Sequence, residues 1–280
     1  MLKAAMALAF AIGLVAQPGR VDVDAVLDRL DDYLEKYENE LGSLIADEDF
    51  RQEIPALPGN GSRPQQRRVE SEVAFLRLPG GAEWYGFRRA TLVDGKPVGD
   101  LHQSLANLLS IGSSDTLAQA QLLVAQSSEH NLGLPRTINM PTLPLELLSG
   151  RYRHRFEITH AGSGKVRGRP VNLVDFSELG SASIIYTGGY EMQSRMRAWI
   201  DSGTGAVWRA EVVMRGLDKG RKASKIRVEF ALEPKLQIIV PVEMREDFGV
   251  ANIGIGGTGV AKYSNYRRFQ TSARIVPPPP

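Results

Sequence analysis

The chain has 280 residues, with 34 Lys and Arg against 32 Asp and Glu, 42% hydrophobic residues and no cysteine. That length suits one large domain or two small ones with a sizeable core, and the composition is that of a folded protein. A net charge of +2 supplies no field for nucleic-acid binding, and the lack of cysteine excludes disulfides, thiol catalysis, cysteine-ligated metal centres and a lipid-modified N-terminal cysteine.

In chain order, Lys3 and the uncharged run Ala4 to Ala16 fit the charged and apolar regions of a secretory signal over residues 1–16. The run is too short for a typical membrane span. A buried N-terminal helix is the other reading, and Gln17-Pro18-Gly19 favours the signal. Residues 22–46 carry Val23, Val26, Leu27, Leu30, Leu34, Tyr37, Leu41, Leu44 and Ile45 at helical spacing. Asp22 and Asp24 suit the start of that helix. Asp28, Asp31, Asp32, Glu35 and Glu38 give it an acidic face, read as solvated or as a partner surface. A Pro/Gly/Asn/Ser-rich loop follows at 55–66, with strands expected at 49–54, 67–78 and 83–93 and a turn at Asp94-Gly95. Helical patterns at Leu101–Leu109 and Ala118–His130 predict an insertion over about 99–145, and Pro135, Pro141 and Pro144 make its end a mostly extended connector.

From residue 151 the apolar residues recur with period two. Met196, Ile200, Trp208, Val212, Met214, Val228, Phe230, Val240, Val242 and Met244 fall on one face, while Arg195, Arg197, Arg209, Glu211, Arg227 and Glu229 fall on the other. Short gaps, such as Asp201-Ser-Gly-Thr-Gly205, favour antiparallel pairing of sequential strands. Further strands fit near 152–160, 169–177, 183–188 and 260–269, about eleven in all. Pro277 to Pro280 read as a tail.

Motifs that would carry chemistry lack their context. Gly254-Ile-Gly256-Gly257-Thr-Gly259 has dinucleotide-loop spacing, but a strand-like run follows where a helix is required, so it reads as a flexible hairpin connection. Gly162-Ser-Gly-Lys165 ends in Val166 where a phosphate loop needs Ser or Thr. His154 and His160 lie about 20 Å apart along one expected strand, too far to share a metal. No cofactor, metal or catalytic residue is expected.

A helix, early strands, a helical insertion and a run of antiparallel strands follow one another. With the hairpin Trp199-Ile-Asp201-Ser-Gly-Thr-Gly205-Ala-Val-Trp-Arg209, this order resembles the periplasmic lipoprotein-carrier superfamily, LolA/LolB-like. The segment from Val240-Pro-Val-Glu-Met244 to Tyr263-Ser-Asn-Tyr-Arg-Arg-Phe269 is similar to that of secreted bacterial proteins grouped near it. The resemblance implies an α+β fold: an antiparallel half-barrel of about eleven strands, with a long N-terminal helix and the insertion covering the sheet, in one domain over 17–276. It also implies an apolar cavity for acyl chains and a lipoprotein-accepting arginine, without choosing among Arg67, Arg68 and others.

Two functions follow as expectations. One is a non-enzymatic, monomeric periplasmic or secreted carrier or sensor of lipid, or of the acyl chains of a lipoprotein, in a Gram-negative-type envelope. Its cavity candidates are the ten apolar residues from Met196 to Met244 named above. The other is a periplasmic protein-interaction module with a filled core. Trp199, an aromatic on the charged face, is its partner-surface candidate.

Overall fold

The computed structural model describes residues 21–41, 44–56, 62–77, 84–98, 128–133, 136, 138–180, 182–187, 190–216, 223–249 and 256–268. The expected signal, most of the insertion and the proline tail lie outside them. Helix α1 spans Val23–Leu41. Asp22 caps it, its Oδ1 accepting from the amide of Asp24 at 3.0 Å. The strands run β1 Leu44–Ile54, β2 Gln65–Arg77, β3 Trp84–Val93, β4 Lys96–Pro97, β5 Phe156–Val166, β6 Arg169–Glu178 and β7 Ile185–Thr187. They continue as β8 Tyr190–Asp201, β9 Val207–Gly216, β10 Ser224–Glu233, β11 Ile238–Gly249 and β12 Gly256–Arg268. A short helix α2 (Leu143–Leu148) and a 3₁₀ turn (Gly150–Arg155) precede β5.

All twelve strands join one antiparallel sheet in the order β4-β3-β2-β1-β12-β11-β10-β9-β8-β6-β5, with β7 on β8. Each pairing joins sequential neighbours except two: β6–β8, which skips β7, and β1–β12, which brings the first and last strands together mid-sheet. The edges β4 and β5 do not meet, so the sheet is open. Laid flat, its eleven-strand path would be about 48 Å wide. Helix α1, at 19 residues, is about 28 Å long. Yet side chains of α1, α2 and strands from β1 and β2 through β12 form one apolar cluster, so the sheet must curve around the helices.

Three expectations change. Helix α1 stops at Leu41, and Leu44 and Ile45 belong to β1, where both are buried. Their spacing fits either element, and the alternating burial of Leu44–Ile54 on both neighbouring strands decides for a strand. The acidic face of α1 is also not uniformly solvated: Asp31 receives Arg153 of the 3₁₀ turn at 2.6 and 2.7 Å. The glycine-rich stretch is strand from Gly256, so the expected flexible connection covers at most residues 250–255. A Cβ on Gly257 would meet the Phe248 ring at 2.3 Å, and one on Gly259 the Phe50 ring at 2.7 Å. These glycines let two buried phenylalanines lie against the backbone of β12. The predicted helical insertion lies outside the description up to residue 127, and the described part beyond it is turns and irregular chain before α2.

The Asp201–Gly205 hairpin explains its own sequence. The Asp201 carboxylate accepts from the amides of Gly203 and Thr204, both at 3.0 Å. Gly205 has φ +74°, and a Cβ there would stand 2.0 Å from the Arg29 carbonyl oxygen. Glycine therefore allows both the left-handed turn and its contact with the α1 backbone.

Candidate ligand-binding face

The inner face is the candidate site. Eight of the ten residues expected to line it do point inward: Met196, Ile200, Val212, Met214, Val228, Phe230, Val240 and Met244 are buried in one cluster. They pack on Val26, Leu27, Leu30 and Leu34 of α1 and Leu145, Leu147 and Leu148 of α2. That half of the face is filled by apolar contact.

The other two do not join them, and β-bulges are the reason. On β9, Val207 opposes Ile200 while Arg209 opposes Trp199, leaving Trp208 as the extra residue. Trp208 instead packs with Val166 and Val171, beside Leu173, Trp199 and Ile239. Its indole N–H donates to Asp201 at 3.2 Å. Burial pushes the Asp201 carboxyl up, but the amides of Thr204 and Gly203 and the Trp208 indole outweigh it and hold it below its ordinary value. On β11 the register shifts between Pro241 and Glu243, leaving Val242 half-buried at the bulge and outside the inner cluster. Trp199 faces outward as expected, but it is half-buried against this outer cluster, with the Arg209 guanidinium 5.2 Å from its ring.

Part of the inner face over β1, β2, β3, β11 and β12 carries a second kind of cover. The described residues of the 128–142 segment (128–133, 136 and 138–142) cross it, and polar bonds fasten them. Arg88 of β3 donates to Glu48 of β1 at 2.5 and 2.7 Å and to the Asn139 carbonyl at 3.2 Å. Arg136 donates to Glu246 of β11 at 2.8 Å, to Gln52 at 3.0 Å and to the Leu132 carbonyl at 2.7 Å. Gln52 also receives the Leu132 amide at 2.9 Å and donates to the His130 carbonyl at 3.2 Å. Arg136 lies over the Phe248 ring at 3.7 Å. All five charged or amide side chains are at least nine-tenths buried. Burial alone would lower the Arg88 pKa, but the Glu48 carboxylate more than compensates and raises it.

Under this strap a cavity of about 10 Å³, lined by Phe50, Gln52, Val69, Arg88, Ala90, His130 and Asn131, has room for about one water. Near the helical half, the Tyr33 and Tyr37 rings stack at 5.4 Å, and neither buried hydroxyl has a hydrogen-bond partner among the described residues. Burial raises both phenol pKa values well above the ordinary range. Each unpaired hydroxyl costs about 1–3 kcal/mol.

These polar residues were not singled out from the sequence, although a signal was present. Glu48 falls at the inward parity of Ala46 and Phe50, and Glu246 at that of Met244 and Phe248. Of the two arginines the resemblance raised, Arg67 donates to the His130 carbonyl at 3.5 Å at the rim of the strap. Arg68 is exposed and pairs with Asp49 and Glu70. Among the described residues, no three His, Asp or Glu side chains gather as a metal site, and no helix is long and apolar enough to cross a membrane.

No family model and no curated protein matches the chain. Solved structures do resemble it. A structure described as an outer membrane lipoprotein-sorting protein domain from Vibrio parahaemolyticus is 12% identical, with 91% of this chain and 96% of that one covered and a TM-score of 0.43. A DUF1329 family protein from Desulfovibrio piger is 12% identical, with 90% and 95% covered and a TM-score of 0.41. A LolA superfamily protein from Nitrosomonas europaea is 11% identical, with 90% and 94% covered and a TM-score of 0.35. Likeness at these scores carries no inference about what this chain binds.

Proposed function

We propose that the chain is a non-catalytic periplasmic carrier or sensor that takes a lipid, or the acyl chains of a lipoprotein, onto the inner face of its sheet. The observation that carries this reading is the unequal closure of that face. Around α1, which also reaches β2 and β11, it is sealed by apolar packing, whereas the strap that covers the rest of β1–β3, β11 and β12 is held through buried ionic and amide groups as well. Polar bonds can be exchanged for water as the strap lifts, which makes this cover separable from the apolar surface beneath it. The unpartnered hydroxyls of Tyr33 and Tyr37 also suit a surface that meets a polar group in another state. The cavity is then made by moving the strap, since only about 10 Å³ is open beneath it now. Phe50, Val69 and Ala90, which line that cavity, are then the apolar contacts offered to the chains.

Native mass spectrometry of gently purified protein, with titration of a fluorescent fatty acid, tests the reading. Co-purified lipid or saturable binding is expected. Absence of both would leave the second reading, a protein-interaction module with a filled core, which the complete burial of the inner-face residues favours. In that case Trp199→Ala should weaken partner capture while the melting temperature moves little.

A further inference from the structure

A second site lies on the opposite side of the sheet. The β5–β6 hairpin turns through Arg167 and Gly168, with φ of +50° and +81° and Val166 paired to Arg169. Val166 at its tip is buried against Trp208 and Val171, which fixes the hairpin over the outer face. Between the tip and strands β9–β11 lies a cleft of about 530 Å³. Its cationic side chains are Lys165, Arg167, Arg209, Arg227 and Arg245, against the carboxylates of Glu229 and Glu243 alone.

Elsewhere on this face, these ion pairs balance: Arg197 with Asp175 at 2.6 Å, Lys225 with Glu211 at 2.9 Å, and Arg51 and Arg68 together with Asp49 and Glu70. In the cleft the charges do not. Arg209 and Arg227 share Glu229, at 2.6 and 3.1 Å, and Arg245 takes Glu243 at 2.7 Å. All three bonds use Nε, so the terminal guanidinium nitrogens remain as donors. Lys165 and Arg167 make no ion pair among the described residues. Arg167 also occupies a left-handed turn position that Asn or Asp fills at lower cost, so its side chain is retained against the local backbone preference.

We infer that this outer cleft is a binding site for a phosphorylated ligand carrying more than one negative charge. A compact surplus of positive charge fits phosphate groups, which bring up to two charges each and accept forked guanidinium bonds. An acidic peptide fits less well. Strands β9, β10 and β11 are interior, so no free edge exists for strand addition, and a peptide's carboxylates carry one charge each along an extended chain. The phosphate can belong to a lipid headgroup or to a soluble ester. This inference is independent of the inner-face reading.

Calorimetric titration of the full chain with inorganic pyrophosphate at low salt tests it. Single-site binding that weakens as salt is added is expected. The double variant Lys165→Gln/Arg167→Asn should bind at least tenfold more weakly. Asn suits the φ of residue 167, so the variant should melt no lower than the parent, and Lys96→Gln, on the edge strand β4 five positions from β11, should bind as the parent does. Unchanged affinity in the double variant overturns the site. So does the lack of binding at millimolar pyrophosphate, or tighter binding of hexaglutamate than of pyrophosphate. Sedimentation with phosphatidylglycerol vesicles, with phosphatidylcholine as control, separates the sources. Co-sedimentation that pyrophosphate reverses, and that the double variant loses, assigns a lipid headgroup; pyrophosphate binding without co-sedimentation assigns a soluble ester.

Discussion

The two halves of the inner face solve one burial problem with different chemistry. Under α1 and α2 the cover is mainly apolar: Leu30 and Leu34 of α1 and Leu147 of α2 cluster with Val212, Met214 and Phe230, and the buried Glu178 and Ser194 satisfy each other within the sheet. Over β1–β3, β11 and β12 the cover is the 128–142 strap, and Arg88, Arg136, Glu48, Gln52 and Glu246 carry it. Apolar packing is non-directional and scales with area, so it survives small shifts of a helix. A buried ionic network depends on each partner, and removing one leaves the others unsatisfied. The helical half is therefore the permanent wall, and the strap is the part whose removal would uncover the surface.

The largest expected effect tests that contrast directly. Arg136→Met leaves Glu246 buried without its cation, and it should cost about 3–5 kcal/mol, the range for breaking a buried pair. Hydrogen exchange should then quicken in residues 128–142 while β8–β10 keep their protection. Arg136→Met/Glu246→Met should recover much of the loss, because no lone charge remains. Equal loss of protection in both halves would show the strap to be an inseparable part of the core.

Gly205→Ala attacks the permanent wall. The added methyl would need a disfavoured φ and would collide with the backbone of α1 at Arg29 and Leu30. A loss of roughly 2–4 kcal/mol is expected in chemical denaturation, from backbone strain and displacement of the helix together. Here exchange should quicken first in α1, and the 128–142 strap should respond less.

Most of the sheet could be read from period two, because residues 190–233 alternate with few interruptions and their turns are short. The failures fall where the backbone breaks that period. Trp208 shares its parity with Ala210 and Val212, yet one extra residue at the β9 bulge turns it to the outer face. Val242 is displaced by the β11 bulge in the same way. A bulge is set by pairing with another strand, so a single strand's pattern does not contain it. The strap was invisible for another reason. Arg136 sits in an irregular connector, and its partners Gln52 and Glu246 lie 84 and 110 residues away in sequence. Buried charges look like surface charges until the elements that bury them are brought together.

A smaller effect concerns the hairpin that links wall and outer cluster. Asp201→Asn keeps an oxygen for the Gly203 and Thr204 amides but loses the negative charge that strengthens those bonds, so about 1 kcal/mol is expected at pH 7. The sign with pH is fixed by the lowered carboxyl pKa of the folded chain. Such a group adds stability above its unfolded pKa, about 3.9, and the contribution fades as pH falls through the lower folded value. Denaturation of parent and variant should therefore differ most near neutrality and converge as the pH falls below the lowered folded value. A gap that stays constant over that range would assign the loss to packing around Trp208.

The smallest effect lies where the wall meets solvent. Arg153 bridges the 3₁₀ turn to Asp31 on α1 with two short bonds, but Asp31 is 42% exposed in its side chain. Water and salt screen such a pair, and removing it should cost no more than about 1 kcal/mol. Arg153→Ala should thus leave the protection of α1 nearly intact, because Leu30 and Leu34 hold that helix without it. The contrast with Arg136 is the informative part. Both arginines tie a covering segment to its surroundings through a carboxylate, and they differ in burial: 22% of the Arg153 side chain is exposed against 8% of Arg136, and 42% of Asp31 against 3% of Glu246. If Arg153→Ala loosened α1 as much as Arg136→Met loosens the strap, ionic bonds would hold both halves, and the division into wall and cover would fail.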